Sequence, residues 1–375
     1  MTMKYSDIVD YDKLDPFKEE SIRRLQHTLG NINRLGMRIV TETIGETAVA
    51  VNADFLNDCY LAFNVEGLGT KNMIAESMAE KIKIVRFFGV DPKFNRRKLF
   101  SGIGQDEMAM TLNDLTGIGA IPVLFEPLVA TGSSDYLTDE DIASGLIDGF
   151  EKGAKISRVA IPGGETPTLK GIISPDTIDL AGASMGIIRP RSRLCVGQRL
   201  TSGLTMYGVS SSGIHSNGVS LARKIAEKSP KGYFTELSDG RTIGEALLTP
   251  TIIYSPLVEA LAEEEADIVY MQPITGHGFG KIMRKRKDLT YVVENLPEPQ
   301  EEFRFMQEKG PVNNEEAFSV WNMGVGLVLF AHNSQATKIG KACRKCNHEV
   351  YELGETKDGE RQVVIPSIDV TYKPK

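Results

Sequence analysis

Cysteine is scarce. Four occur in 375 residues, too few for a disulfide framework in a chain this long, so the compartment reads as reducing cytosol. Cys343 and Cys346 form a CxxC with His348 nearby, but no second pair completes a zinc site. Their i, i+3 spacing suits one helix face and reads as structural. Long apolar runs are also missing. Residues 323–331, the most apolar stretch, fall far short of the ~20 residues that span a bilayer, which excludes a membrane partner. No basic segment followed by an apolar one opens the sequence; residues 1–20 are acidic and polar. Positive charge is in deficit, at a net −7. A nucleic-acid partner, which needs a basic surplus to neutralise phosphates, is thereby disfavoured. A phosphorylated small molecule stays compatible, because a cleft can be locally basic or present backbone N–H groups. Short-period repeats and low-complexity tracts are absent.

What is present is an ordinary globular balance, 41% hydrophobic and 25% charged. The length fits two domains at roughly 100–200 residues each. Strand-like and helix-like segments alternate, which predicts a mixed α/β (α+β) protein. Residues 48–54 and 60–65 read as a hairpin about the turn-prone Asn57-Asp58. Helical patterns follow at 74–86, 106–115 and 139–155, the last opening on the acids Asp139, Glu140 and Asp141. Residues 178–188 form a long apolar strand, and Arg189-Pro190-Arg191-Ser192 breaks the pattern. The boundary falls there, giving domains 1–190 and 191–375. The second half predicts strands at 204–209 and 324–330, with helices at 217–227, 256–264, 301–309 and 334–345. The basic run 281–287 and the acidic run 263–265 are simplest as solvated faces.

Five glycine-rich turns carry residues able to do chemistry. The first is Glu66-Gly67-Leu68-Gly69-Thr70-Lys71. Glycines let the backbone approach an anion, and Thr70 and Lys71 add a hydroxyl and a cation. It lacks Walker A spacing and the third glycine of a dinucleotide fingerprint. The second opens a helix, Gly104-Gln105-Asp106, and continues to Asn113-Asp114. At 100° per residue Asp106 and Asn113 share one face with Asp114 beside them, opposite Met108, Leu112 and Leu115. Hard oxygen ligands of this kind suit Mg²⁺ shared with substrate phosphates; helix-start acids with a capping side chain explain them equally well. The third is Gly163-Gly164-Glu165-Thr166. The fourth, Ser211-Ser212-Gly213-Ile214-His215-Ser216-Asn217, precedes a helix, where small hydroxyl residues make an anion site. His215 there has the chemistry for proton transfer near neutral pH. The fifth is Thr275-Gly276-His277-Gly278.

Taken together these stretches resemble the phosphoribosylformylglycinamidine cyclo-ligase (AIR synthetase) family. The family's DGVGTK is similar to residues 66–71, GIDxVAMxxND to 104–114 and GGETAxMPG to 163–171. DLAG follows at 179–182, SSGxHSNGxSL at 211–221 and LLTPTxIY at 247–254. The glycine turn at 274–279, an FNMGVG-like stretch at 321–326, and an opening at residues 5–10 like YKDAGVD keep the family order. The resemblance implies a two-domain fold: an N-terminal sheet domain forming the interface of a homodimer, and a C-terminal α/β domain. It implies ATP-dependent closure of the imidazole ring of formylglycinamidine ribonucleotide in purine biosynthesis, in the cytoplasm. On it, Asp106, Asp114 and Glu165 contact Mg²⁺ or Mg-ATP. Asn113 is an orienting partner on the cofactor side, with Glu66, Gly67, Gly69, Thr70, Lys71, Gly163, Gly164 and Thr166. Ser211, Ser212, Gly213, Ser216, Thr249, Thr251 and Gly276 hold substrate. His215 and Asn217, with Asp106, serve the reaction itself.

Some positions depart from the pattern: Glu66 replaces Asp, Ser133-Ser134 replaces Lys-Leu, Leu169-Lys170-Gly171 replaces MPG, and His277 replaces glycine. They leave open a sister ATP-dependent enzyme with another substrate, or a nucleotide-binding paralogue without catalysis. Selenophosphate synthetase is disfavoured because the N-terminal glycine-rich segment has no cysteine. The hydrogenase-maturation branch, which ends in a reactive cysteine, is disfavoured by an ending at Pro374-Lys375. Thiamine-phosphate kinase is opposed by the 211–221 and 247–254 stretches, and a dinucleotide oxidoreductase by the missing third glycine.

Overall fold

A computed structural model describes residues 4, 5, 8, 11–87 and 95–374. Ser6, Asp7, Val9 and Asp10 of the opening motif lie outside the described residues. Helix α1 (Tyr11–Leu25) leads to strands β1 (Met37–Ile39), β2 (Val49–Ala53) and β3 (Tyr60–Gly67). β2 and β3 are the antiparallel hairpin the sequence predicts, with Val49 opposite Phe63. Asp58 in its turn takes a φ of 46°, the left-handed conformation that Asn and Asp tolerate. Then come α2 (Asn72–Phe87), α3 (Arg96–Gly117), β4 (Ile121–Thr131), α4 (Glu140–Ser157) and β5 (Ile178–Ile188). The five strands order as β1-β2-β3-β5-β4.

Helix α3 is longer than its pattern suggested. It is buried almost all round, so no amphipathic stripe marks its ends; Asn95 caps its start by accepting the Lys98 N–H at 3.3 Å. It crosses α4 very closely: a Cβ on Gly104 would lie 2.5 Å from the Leu146 carbonyl oxygen. The glycine of the second motif is therefore a packing glycine. β4 escaped the sequence reading because Pro122 and Pro127 interrupt it, which only a strand at the sheet edge tolerates. Residues 160, 165 and 168 pair in parallel along its outer side with Leu124, Leu128 and Thr131.

Side chains alternate across a sheet. Ala62 and Asn64 point beneath α3 and are buried, whereas Phe63 and Val65 point away and are 52% and 59% exposed. Met185 and Ala183 lie opposite them on β5, and Val49 on β2 and Leu128 on β4 extend the exposed apolar face.

The second half holds β6 (Thr205–Ser210), α5 (Val219–Glu227), α6 (Ile243–Leu247), α7 (Ser255–Glu263), β7 (Tyr270–Pro273) and β8 (Leu289–Val293). It continues through α8 (Glu301–Lys309), α9 (Asn314–Val320), β9 (Val325–Ala331), α10 (Ala336–Lys345), β10 (Val350–Asp358), β11 (Gln362–Ile365) and β12 (Val370–Tyr372). The sheet runs β12-β11-β8-β10-β6-β9-β7, and every residue of β9 is buried. Elements with strong periodicity, β6, α5, α7, α8, β9 and α10, match their predicted spans to within about two residues. β10 went unseen because its sequence is polar and shifts register about Gly354. Cys343 sits inside α10, where burial pushes its thiol up to about 12, leaving it unreactive at neutral pH.

The basic run 281–287 is not the solvated face expected of it. Lys285 pairs with Glu46 at 3.2 Å, Arg284 Nε donates to the Gly45 carbonyl at 2.9 Å, and Lys287 Nζ donates to the Leu200 carbonyl at 2.6 Å. These cations hold down two loops.

Candidate active site

The site forms where α3 of the first half meets two loops of the second. At its centre Asp106 is fully buried. Its Oδ1 accepts from Lys71 Nζ at 2.8 Å, from the Thr251 N–H at 2.7 Å and Oγ1 at 2.5 Å, and from Ser216 Oγ at 3.3 Å. Its Oδ2 is buried with no hydrogen-bond partner. Lys71 is equally buried and also donates to the Thr249 carbonyl at 2.9 Å. Burial lowers the ammonium pKa while Asp106 opposes the change. A buried charge needs such pairing, so each makes the other tenable.

Residues 249–254 are pinned along their length. Gln105 Nε2 donates to the Thr251 carbonyl at 3.1 Å. Asn113 Nδ2 donates to the Ile252 carbonyl at 2.7 Å, and its Oδ1 accepts the Tyr254 N–H at 2.8 Å. Asn113 is thus an orienting residue whose amide is committed to backbone at both ends; of its expected roles the geometry supports that one. Ser212 Oγ donates to the Pro250 carbonyl at 2.7 Å, joining this segment to the 211–217 loop. That loop is tied in turn: Ser211 Oγ donates to Asn322 Oδ1 at 3.0 Å, and Asn322 Nδ2 to the Gly213 carbonyl at 2.8 Å. Asn217 Oδ1 accepts the Gly276 N–H at 3.0 Å and so holds the fifth glycine turn. His277, where the family has glycine, carries a φ of 72°, the left-handed region that glycine fills without strain.

His215, of which proton transfer near neutral pH was expected, is buried, and its Nε2 accepts the Ser212 N–H at 3.2 Å. Burial, with Lys71 adding, lowers its pKa to about 3. It stands as a neutral acceptor that shapes the loop. Because the folded pKa is depressed below 6.5, stability is complete above that pH and drains as pH falls toward 3. Protonation in the unfolded chain alone costs about 2 kcal/mol at pH 5. Urea melts of His215→Gln should lose that part of the pH dependence between 7 and 5. An unchanged slope would remove the assignment.

A second group of charges lies two turns farther along α3, about 12 Å at 1.5 Å per residue. Burial pushes Asp114 up to about 7, Lys281 opposing and the charge of Glu66 adding. Lys281, from the basic run, has its pKa lowered to about 8 by burial. The carboxylates expected to act together, Asp106, Asp114 and Glu165, are therefore not assembled: among the described residues no three His, Cys, Asp or Glu groups converge on a metal position. Glu165 is exposed, its backbone bound along β4 by the Val129 N–H to its carbonyl at 2.8 Å. Gly163, Gly164 and Thr166 share that exposed edge, and Gly69 is exposed while Thr70 meets Ser220 at 3.2 Å.

Three residues were missed. Glu107 is fully buried on α3, takes Thr111 Oγ1 at 3.0 Å, and has its pKa raised by burial. Glu302 is buried on α8, and Lys281 joins the Asp114 group. Glu302 drew no reading beyond its place in the 301–309 helix, and Lys281 lay in a run read as a solvated face. No local signal separates a buried carboxylate from an exposed one.

A five-stranded sheet under buried helices, a second mostly antiparallel sheet, and a buried polar cluster about Asp106 between them are the features of the AIR-synthase-related class. Models of that family match in both halves: the AIR synthase related protein N-terminal domain over residues 56–188 and its C-terminal domain over 201–366. Among solved structures, thiamine-monophosphate kinase from Stenotrophomonas maltophilia shares the fold. Its TM-score is 0.59 at 16% identity, over 86% of this chain and 90% of that one. So does hydrogenase maturation protein HypE in complex with ATP, with TM-score 0.55 and 17% identity over 86% and 85%. Phosphoribosylformylglycinamidine cyclo-ligase of Methanocaldococcus jannaschii is 36% identical over 303 residues, 80% of this chain and 79% of its own. That of Methanobrevibacter smithii is 34% identical over 329 residues, 84% and 86%. The chain belongs to the phosphoribosylformylglycinamidine cyclo-ligase family, whose members are enzymes of the AIR synthetase type. No helix among the described residues is long and apolar enough to cross a membrane.

Proposed function

We propose that the chain uses ATP to close the imidazole ring of phosphoribosylformylglycinamidine, giving aminoimidazole ribonucleotide, ADP and phosphate. The observation that carries this reading is Asp106. It is a buried carboxylate with one oxygen taken by four donors and the other unpartnered, set between motifs in the family order. The unpartnered Oδ2 fits Mg²⁺, which takes hard oxygens and is shared with substrate phosphates rather than caged by protein alone. The resemblance adds Asp114 and Glu165 as further candidates for that role. ATP supplies the phosphoryl group that turns the formamide oxygen into a leaving group, and Mg²⁺ its charge neutralisation.

The chain's own residues then bind, orient and exclude water, the main levers in phosphoryl transfer. Lys71, Thr70 and the backbone at Gly67 and Gly69 face phosphates. Ser211, Ser212, Gly213 and Ser216 line the reaction centre, with His215 and Asn217 holding the loop. Thr249, Thr251 and the Gly276 turn hold the ribose phosphate. Gly163, Gly164, Glu165 and Thr166, on the exposed edge beside β4, stay assigned to the nucleotide side through the resemblance. Residues 1–190 form the ATP-binding and dimerisation domain and 191–375 the second domain, in a cytoplasmic homodimer. The exposed apolar face around Phe63 and Val65 supports the dimer.

The test is ADP release by purified protein with Mg-ATP, with and without phosphoribosylformylglycinamidine. Substrate-dependent ADP with a matching imidazole product is expected. ATP binding with no such turnover would move the chain to another substrate or to a non-catalytic role.

A further inference from the structure

Glu302 is a buried acid that the site as described does not use. It lies in the first turn of α8 and is fully buried. Its Oε2 accepts from Arg241 Nη2 at 2.8 Å, and Arg241 is itself held by Asp239. Its Oε1 is buried with no hydrogen-bond partner. Leaving a carboxylate oxygen unmatched in the interior is costly, so a donor from elsewhere is called for. The direction is fixed by Gly213, in the loop assigned to substrate: a Cβ there would lie 2.5 Å from Oε1. Position 213 must stay bare, with φ 140°, and behind it stands an acceptor. The Glu302 charge is also among the influences that raise the Lys71 pKa against its burial.

Asp106 already serves Lys71, Ser216 and Thr251. We propose that Glu302 is a specificity-determining residue of the substrate site, its Oε1 accepting an N–H from a cationic amidine as the 211–217 loop yields at Gly213. The proposal rests on the cyclo-ligase reading. An amidinium donates charge-assisted hydrogen bonds to a carboxylate, whereas the isosteric amide offers a carbonyl oxygen that the same carboxylate repels.

The experiment compares the amidine substrate with its amide analogue as competing ligands, in wild type and in Glu302→Gln, which keeps size and a carbonyl oxygen for Arg241. Wild type should prefer the amidine by at least about tenfold, and Glu302→Gln should lose that preference while KM for ATP stays within about twofold. A merely structural role would not alter the amidine-to-amide ratio, so a folded Glu302→Gln that keeps the full preference overturns the proposal. Should Glu302→Gln not fold, Glu302→Asp is the second variant. It keeps the charge that Arg241 pairs with but withdraws the carboxylate by one methylene, and should lower the same preference; full retention overturns the proposal. Absence of amidine-dependent ADP release in wild type would instead defeat the cyclo-ligase reading. Glu302 is then judged by calorimetric titration of acetamidinium chloride: binding lost in Glu302→Gln supports the subsite, and equal or absent binding in wild type overturns it.

Discussion

Asp106→Asn is expected to abolish substrate-dependent ADP release, with turnover falling by about 10³-fold or more. The amide can still accept from Thr251 and Ser216, so the local hydrogen bonds partly survive. What disappears is the negative charge. The fully buried Lys71, 2.8 Å away, is left as a cation without its counter-ion, and Oδ2, the oxygen suited to Mg²⁺, becomes an uncharged group. Breaking one side of a buried pair costs about 3–5 kcal/mol, whereas replacing both partners with apolar groups is often close to neutral. Urea melts should therefore show Asp106→Asn strongly destabilised, and a double variant Lys71→Met, Asp106→Asn, which removes the unpaired cation and keeps an acceptor for Thr251 and Ser216, recovering much of the loss. The double variant should remain inactive. Wild-type ADP release by folded Asp106→Asn would take the metal role from this residue. Recovery of both stability and activity in the double variant would make the pair purely structural.

Phe63→Glu is expected to turn the proposed dimer into a monomer and raise the dimer Kd by about 10²-fold or more. The side chain is 52% exposed on the outer sheet face beside Val65 at 59%. Contiguous exposed apolar surface of this kind marks an interaction site. At a two-fold interface each substitution is made twice, and two carboxylates are desolvated together. Sedimentation velocity reads the result against a protomer of 41.2 kDa. Because the face lies opposite the one that packs on α3, the protomer's melting temperature should move little when measured at a concentration where both forms are monomeric. A wild type that sediments as a monomer at micromolar concentration, or a Phe63→Glu protein that stays dimeric, would remove this face as the interface.

Periodicity and turn chemistry made much of the architecture legible. The strand at 178–188 and the helix at 301–309 agree with β5 and α8 residue for residue, because each has a clear pattern bounded by breakers. β4 and β10 were hidden for opposite reasons: prolines mask the first, and a polar composition with a glycine bulge masks the second. Both are held by pairing with neighbours that lie far away in sequence.

The candidate site divides in the same way. The motifs, their order and the helical face shared by Asp106 and Asn113 belong to the sequence, since spacing along one helix is a local property. The choice among roles was made only when the chain folded. Lys71 and Asp106 are 35 positions apart, and Asp106 and Thr251 are 145; no periodicity links them. Burial made His215 a neutral acceptor, drew Lys281 out of a basic run toward Asp114, and left Glu302 with an unmatched oxygen. Residue type and spacing thus determined which chemistry this chain can offer. Desolvation and long-range pairing, which exist only in the folded state, decided which groups stay charged and which are merely held in place.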